Sequence, residues 1–205
     1  MKKQTVCMIG LGLLLASATQ ASQEQLAKSI QETRVETAST SGQLGATLAT
    51  LNELTKQTKG DLRPTYDKFC ADVARTQTAA ATTRTRVQWM DTDGQRYFTD
   101  WQGTINSIAN ESLRKKAQKR MDGVKANWTK ARGSFGVAAD KFAPFLSDLN
   151  DIQKALATDV TAGGVKAIRS TVKSANWNHQ FVDKAIKSAL KELDGMQKAL
   201  STQAK

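Results

Sequence analysis

Histidine occurs once in this chain of 205 residues, and cysteine and proline twice each. A single histidine, His179, leaves no room for the paired Glu-x-x-His sets with which helical bundles hold metals. No Cys-x-x-Cys-His run is present for haem attachment. His179 is therefore expected as a core or half-buried residue meeting Phe142. No serine, cysteine or lysine nucleophile stands beside a visible base, and no glycine-rich loop could cradle phosphate. Catalytic, cofactor and metal sites are all expected to be none. Asp91-x-Asp93-Gly94 has the spacing of the middle of a calcium loop. In that alignment the first ligand position is Trp89 and the twelfth is Asp100 rather than glutamate, which argues against calcium.

Long apolar runs are equally scarce. Only Val6 to Ala16 qualifies, and it is far shorter than the ~20 residues that span a bilayer. Preceded by Lys2 and Lys3 and followed by small residues, it reads as a cleaved export signal over residues 1–21. Ala16-Ser17-Ala18 and Thr19-Gln20-Ala21 both offer a cleavage pattern, and the mature chain is expected to begin near Ser22. The expected location is the bacterial periplasm or the outside of the cell, with the mature protein not integral to the membrane. Cys7 leaves with the signal, and Cys70 alone cannot form an internal disulfide. It lies beside Phe69 on a helix and is expected to be an inert, buried thiol.

What the chain does have is an apolar stripe at alternating steps of three and four, the spacing that holds one helix face against another. The third predicted helix carries Met121, Val124, Trp128, Ala131, Phe135, Ala138, Phe142, Phe145, Leu149, Ile152 and Leu156. The fourth carries Val165, Ile168, Val172, Ala175, His179, Val182, Ile186, Ala189, Leu193, Met196 and Leu200. The first, from about Ser22 to Lys59, has Leu26, Ile30, Leu44, Leu51 and Leu54. Four threonines complete its stripe (Thr33, Thr37, Thr40, Thr47), each with a hydroxyl that needs a partner.

The second helix starts after Gly60, with Asp61 as its cap and Pro64 in the first turn. Its stripe passes from Tyr66 and Phe69 through Met90, Gly94 and Tyr97 to Thr104 and Ile108. Asp91-Thr92-Asp93-Gly94 resembles a turn, yet the apolar phase crosses it unchanged, so a continuous helix is expected. Asn110 caps the third helix, which is expected to kink rather than break at Pro144. Asp159 or Thr161 caps the fourth, with Gly163 and Gly164 loosening its first turn.

These elements predict an all-α fold, an elongated antiparallel four-helix bundle of coiled-coil type, with residues 22–205 as a single domain. A turn near Asn110 should set Trp128 against Met90 or Gly94, and Phe142 against Thr76. Leu193 should lie near Trp128. Trp101 and Trp128 belong to the stripes, whereas Trp89 and Trp177 fall off them and are expected to be partly exposed. Long stripes of this kind also make a homodimer possible.

The formal net charge is +11, or +9 without Lys2 and Lys3. In an exported chain this points away from nucleic acid and toward anionic envelope polymer or lipid head groups. Between Asn110 and Arg132 eight basic residues face two acids, Glu111 and Asp122, leaving +6. Five of them, Arg114, Lys115, Lys116, Lys119 and Arg120, crowd the start of the third helix. There the helix dipole disfavours each nearby cation by ~0.3–1 kcal/mol. The cluster is the expected anion-binding site, at a tip that also gathers the mature N-terminus, Lys198 and Lys205. A merely solvated helix face is the competing reading. A non-catalytic envelope protein is the expected function, and a periplasmic holdase-type chaperone, which needs exposed apolar surface in a clamp, is the alternative.

Phe98-x-x-Trp101, Asn110-x-x-Leu113-Arg114, Pro144-x-Leu146, Asp151, Leu156, Ala162, Val165 and Ile168 together resemble, in ungapped register, an exported bacterial family catalogued as domain of unknown function 2959. The resemblance covers most of the mature chain and implies a helical envelope protein, with no activity to carry over. Many relatives resemble lipoproteins, but here no cysteine follows the apolar core, so this chain is not an obvious lipoprotein. Relatives also share a Lys-His-Asn-Leu-Asn run where this chain has Ala157-Thr158-Asp159-Val160-Thr161. Any function tied to that run is absent here.

Overall fold

A computed structural model describes residues 6–57 and 59–201, with side-chain surroundings from residue 18 onward. Five helices follow in order: α1 Val6–Lys56, α2 Arg63–Asn106, α3 Glu111–Thr158, α4 Ala162–Ala167 and α5 Arg169–Ser201. No strand occurs among the described residues. The fold is an all-α helical bundle in which long helices pack on one another. None of its helices is long and apolar enough, among the described residues, to cross a membrane. Lys2, Lys3 and Lys205 lie outside the described residues.

The boundaries follow local chemistry. Gly60, at φ +85°, turns the chain after α1, and Asp61 Oδ1 accepts from the Arg63 backbone N–H at 2.9 Å. Asn110 Oδ1 accepts from the Leu113 N–H at 3.0 Å, the cap expected of it. Thr161, not Asp159, caps α4, its hydroxyl accepting from the Gly164 N–H at 3.2 Å. Both α2 at Asp91–Gly94 and α3 at Pro144 are continuous, as the unbroken phase predicts.

Three boundaries differ from expectation. α1 does not wait for Ser22, because residues 6–21 contain no helix stop strong enough to break it. It ends at Lys56, a turn earlier than Lys59. The fourth predicted helix is two, interrupted at Ile168, whose N–H still bonds the Gly164 carbonyl at 3.3 Å. Val172 N–H in turn bonds the Ile168 carbonyl at 3.0 Å, so the apolar phase survives the interruption.

The chain divides into two compact units, each drawing on α1, α2, α3 and α5. Unit 2, residues 35–85 and 133–190, holds a core of Leu44, Leu51, Leu54, Phe69, Phe145, Leu149, Ile152 and Leu156 with Val165 to Ile186. Its neighbours close a ring. Thr40 pairs with Thr83 at 2.9 Å and Thr47 with Thr76 at 2.7 Å between α1 and α2. Tyr66 Oη donates to the Gln153 carbonyl (3.0 Å) between α2 and α3. Ser174 and Asn178 of α5 donate to Asp148 of α3 at 2.8 and 2.7 Å. Asn52 and Asn176 exchange hydrogen bonds at 3.0 Å between α1 and α5. Numbers rise along one helix as they fall along its neighbour, so every adjacent pair is antiparallel.

Unit 1, residues 1–34, 86–132 and 191–205, buries Leu26, Ile30, Met90, Tyr97, Phe98, Ile105, Met121, Val124, Trp128, Leu193, Met196 and Leu200. Trp128 lies flat on α2 at Gly94, where an added Cβ would come within 2.6 Å of the indole Cε2. This is the large-on-small pairing expected for that turn length. At the end of α2 the buried residue is Ile105 rather than Thr104 or Ile108, which are half-buried. There the helix loosens into Ser107, whose N–H is shared between the carbonyls of Gly103 and Thr104.

Candidate functional site

The basic cluster begins at the N-terminus of α3. Asn110 holds the first turn, and Arg114 reaches back to the Ile108 carbonyl at 3.4 Å, bracing the loop from α2. Met121 and Val124 are buried and Ala117 and Gln118 half-buried, so they define the inward side of α3. Lys115, Lys116, Lys119 and Arg120 occupy the opposite side and are exposed, as is Arg114. Lys115 pairs with Glu111 at 2.7 Å along the helix. Lys116 and Lys119 form no ion pair among the described residues, so their charge is not cancelled locally. Exposed pairs such as Lys115–Glu111 contribute ~0–1 kcal/mol.

Within unit 1 other elements meet the same end. Gln118 accepts from Gln102 Nε2 of α2 at 3.0 Å. Thr19 of α1 donates to the Asp100 carbonyl (3.2 Å) and shares a hydrogen bond with Thr104 at 2.8 Å. Gln23 Nε2 of α1 donates to the Leu200 carbonyl of α5 (3.0 Å), which brings the last turns of α5, with Lys198, to this end. The exposure of one residue at this end is not legible in the sequence. Leu113 is 56% exposed beside Arg114, an apolar side chain standing among the cations. A single leucine off the stripe carries no periodic signal for its exposure, although it stands in the Asn110-x-x-Leu113-Arg114 run that carries the family resemblance.

The other candidates resolve differently. His179 is half-buried, and its ring meets Phe145 edge-on at 5.5 Å rather than the expected Phe142, one turn away. Burial holds its pKa below the usual histidine value, with Lys187 adding to this and Asp183 opposing it. Asp91 and Asp93 sit on continuous helix, not in a loop. Asp91 faces Arg132 at 2.8 Å, and Asp93 accepts from Ser29 and Gln25. No cluster of three or more metal-binding side chains occurs among the described residues. Cys70 is half-buried beside Tyr66, whose phenol burial and the neighbouring thiol push up to about 12.

The tryptophans divide as their phases predict. Trp128 is buried against Phe98, with ring centroids 6.4 Å apart. Trp101 is half-buried on Tyr97 at 5.4 Å. Trp89, 54% exposed, lies under the Arg86 guanidinium at 4.9 Å. Trp177, 61% exposed, meets Phe181 edge-on at 5.2 Å in unit 2.

No curated protein and no solved structure matches this chain. A family model does, over residues 17–200, and it covers every element that builds the basic end. The chain therefore belongs to the family described as Protein of unknown function (DUF2959).

Proposed function

We propose that this is a non-catalytic, exported helical-bundle protein of the bacterial envelope that binds an anionic envelope component through Arg114, Lys115, Lys116, Lys119 and Arg120. One observation carries the reading: five exposed cations share the first turns of one helix, against the dipole that opposes them. Stability alone would disperse or neutralise such charge. A concentrated field attracts polyanions more strongly than a dispersed one. Leu113 adds a short apolar contact that a lipid head-group layer would bury, whereas a polymer in water would leave it wet. Phosphate-bearing head groups and anionic glycan polymers share the ligand chemistry, and the experiment separates them.

The holdase alternative has less support. The seams are filled by buried side chains, and large exposed apolar residues are few and mostly isolated. Among the described residues, Trp177 and Phe181 are the one pair of exposed aromatic rings in contact. Exposed charges act within ~8–10 Å at physiological ionic strength, so the expected binding is salt-sensitive. The test measures the mature protein on anionic vesicles, lipopolysaccharide and peptidoglycan at low and high salt. The comparison protein carries Lys115, Lys116, Lys119 and Arg120 changed to glutamine. Salt-sensitive binding that the quadruple variant loses is the expected result; equal binding by that variant would make the cluster a solvated face only.

A further inference from the structure

Two points in the sequence fit removal of the leader, after Ala18 and after Ala21, and the packing of α1 discriminates between them. Thr19 is half-buried and belongs to the fold. Its hydroxyl donates to the Asp100 carbonyl at 3.2 Å and meets the Thr104 hydroxyl at 2.8 Å. That pair repeats what unit 2 does with Thr40–Thr83 and Thr47–Thr76. Each step between these threonines on α1 is a multiple of seven, matched by the same step down α2. Thr19 is thus placed by the same heptad pattern that fixes α1 elsewhere. Ser22 is buried and donates to the carbonyls of both Ala18 (3.0 Å) and Thr19 (3.1 Å).

A cut after Ala21 would remove Thr19, with its hydrogen bond to Thr104, and both acceptors of Ser22. A cut after Ala18 keeps Thr19, its two inter-helix hydrogen bonds, and one acceptor for Ser22. The family match begins at residue 17, so Thr19 lies inside the shared domain. Ala16 and Ala18 also supply the small-x-small pattern with two alanines, whereas the later point sets a β-branched threonine upstream.

From this we infer that the signal is removed by hydrolysis of the Ala18–Thr19 peptide bond, so that Thr19 is the first mature residue. Water is the co-reactant. The C–N bond breaks, the hydroxyl goes to the Ala18 carboxylate, and Thr19 keeps a free amine. The segment is cut while the chain is still unfolded, since in the fold it is helical. That new ammonium lies at the same end of unit 1 as Arg114–Arg120 and adds to its positive charge.

The inference rests on the proposed export. The full-length chain is expressed in a bacterium with its own export machinery, recovered from the envelope and periplasmic fractions, and analysed by intact mass and N-terminal sequencing. Loss of residues 1–18, with Thr19 first, is the expected result. A chain beginning at Ser22 overturns the inference while leaving export standing. An unprocessed chain starting at Met1 and confined to the cytoplasm overturns both.

Discussion

Replacing Gly94 by alanine sets two effects of opposite sign against each other. In an exposed helix the change stabilises by about 1 kcal/mol, because glycine is the poorer helix former. Here the new Cβ would lie 2.6 Å from Cε2 and 2.8 Å from Cη2 of Trp128, where ordinary contact is about 3.5–4 Å. The indole would have to retreat by on the order of 1 Å, yet it is only 4% exposed and already leans on Phe98. Overpacking of a filled core costs about 1–3 kcal/mol. A rigid, enclosed ring puts the cost in the upper part of that range. Gly94→Ala should therefore destabilise by about 1–2 kcal/mol net, lowering the thermal midpoint by roughly 2–4 °C per kcal/mol in a domain of this size. Trp128→Ala alone should cost about 3–5 kcal/mol. In that background the clash is gone, and Gly94→Ala should become stabilising by up to about 1 kcal/mol. Urea denaturation of the two single variants and the double variant, followed by far-UV circular dichroism, closes the cycle. A rise in midpoint on Gly94→Ala in the wild-type background would refute the seating of Trp128 on α2.

At the α3–α4 turn, an added Cβ on Gly164 would run into the backbone carbonyl oxygen of Asp159, which cannot yield as a side chain does. Gly164→Ala should cost about 3 kcal/mol in a thermal melt, while Gly163→Ala, meeting only the Thr161 hydroxyl at 3.4 Å, should be tolerated. Leu193→Ala should cost about 2–5 kcal/mol, since the side chain is fully buried. An unchanged melting temperature there would mean that this stripe is exposed in solution and used for self-association. Asp72 is buried, which alone would raise its pKa, but hydrogen bonds from Thr50 and Arg75 outweigh that and hold it below the usual aspartate value. Its contribution is therefore full above the unfolded value and is lost as pH falls through the folded one. Asp72→Asn should flatten the fall of denaturation midpoint between about pH 5 and pH 2.

The stripes were legible because burial along a helix is periodic: most seam positions from Leu26 to Leu200 are buried, and the others, such as Thr83, Val87 and Phe142, are half-buried. Continuity through Gly94 was legible for the same reason, since a turn would have shifted the phase. The Ile168 interruption was not, because one disturbed step in the ladder leaves the phase intact. The sequence marks Gly164 as a loosened first turn, but its need for hydrogen in place of a side chain comes from the Asp159 carbonyl five residues back, a contact set by the backbone path of the α3–α4 turn. His179 meets Phe145 instead of Phe142 because the offset between facing helices depends on the path of the connecting turn, which periodicity does not encode. The residues of the basic cluster were legible as composition. Their gathering with the start of α1 and the end of α5 followed from antiparallel order, whereas exposed Leu113 left no mark in the pattern.

The threonine pairs between α1 and α2 also bear on how the chain avoids a wrong alignment. Apolar heptads are nearly indifferent to a slide of seven residues, since leucine meets leucine again. Hydroxyls are not. Sliding α1 one heptad one way would leave Thr47 paired with Thr83 but set Thr40 against Met90. Sliding it the other way would pair Thr40 with Thr76 but press Thr47 onto Phe69. Each shifted state strands a hydroxyl against apolar atoms, at about 1–3 kcal/mol per unsatisfied group. The helix with the weakest apolar stripe is thus the one whose misaligned states are most heavily penalised, and folding intermediates that trap α1 out of step should be short-lived.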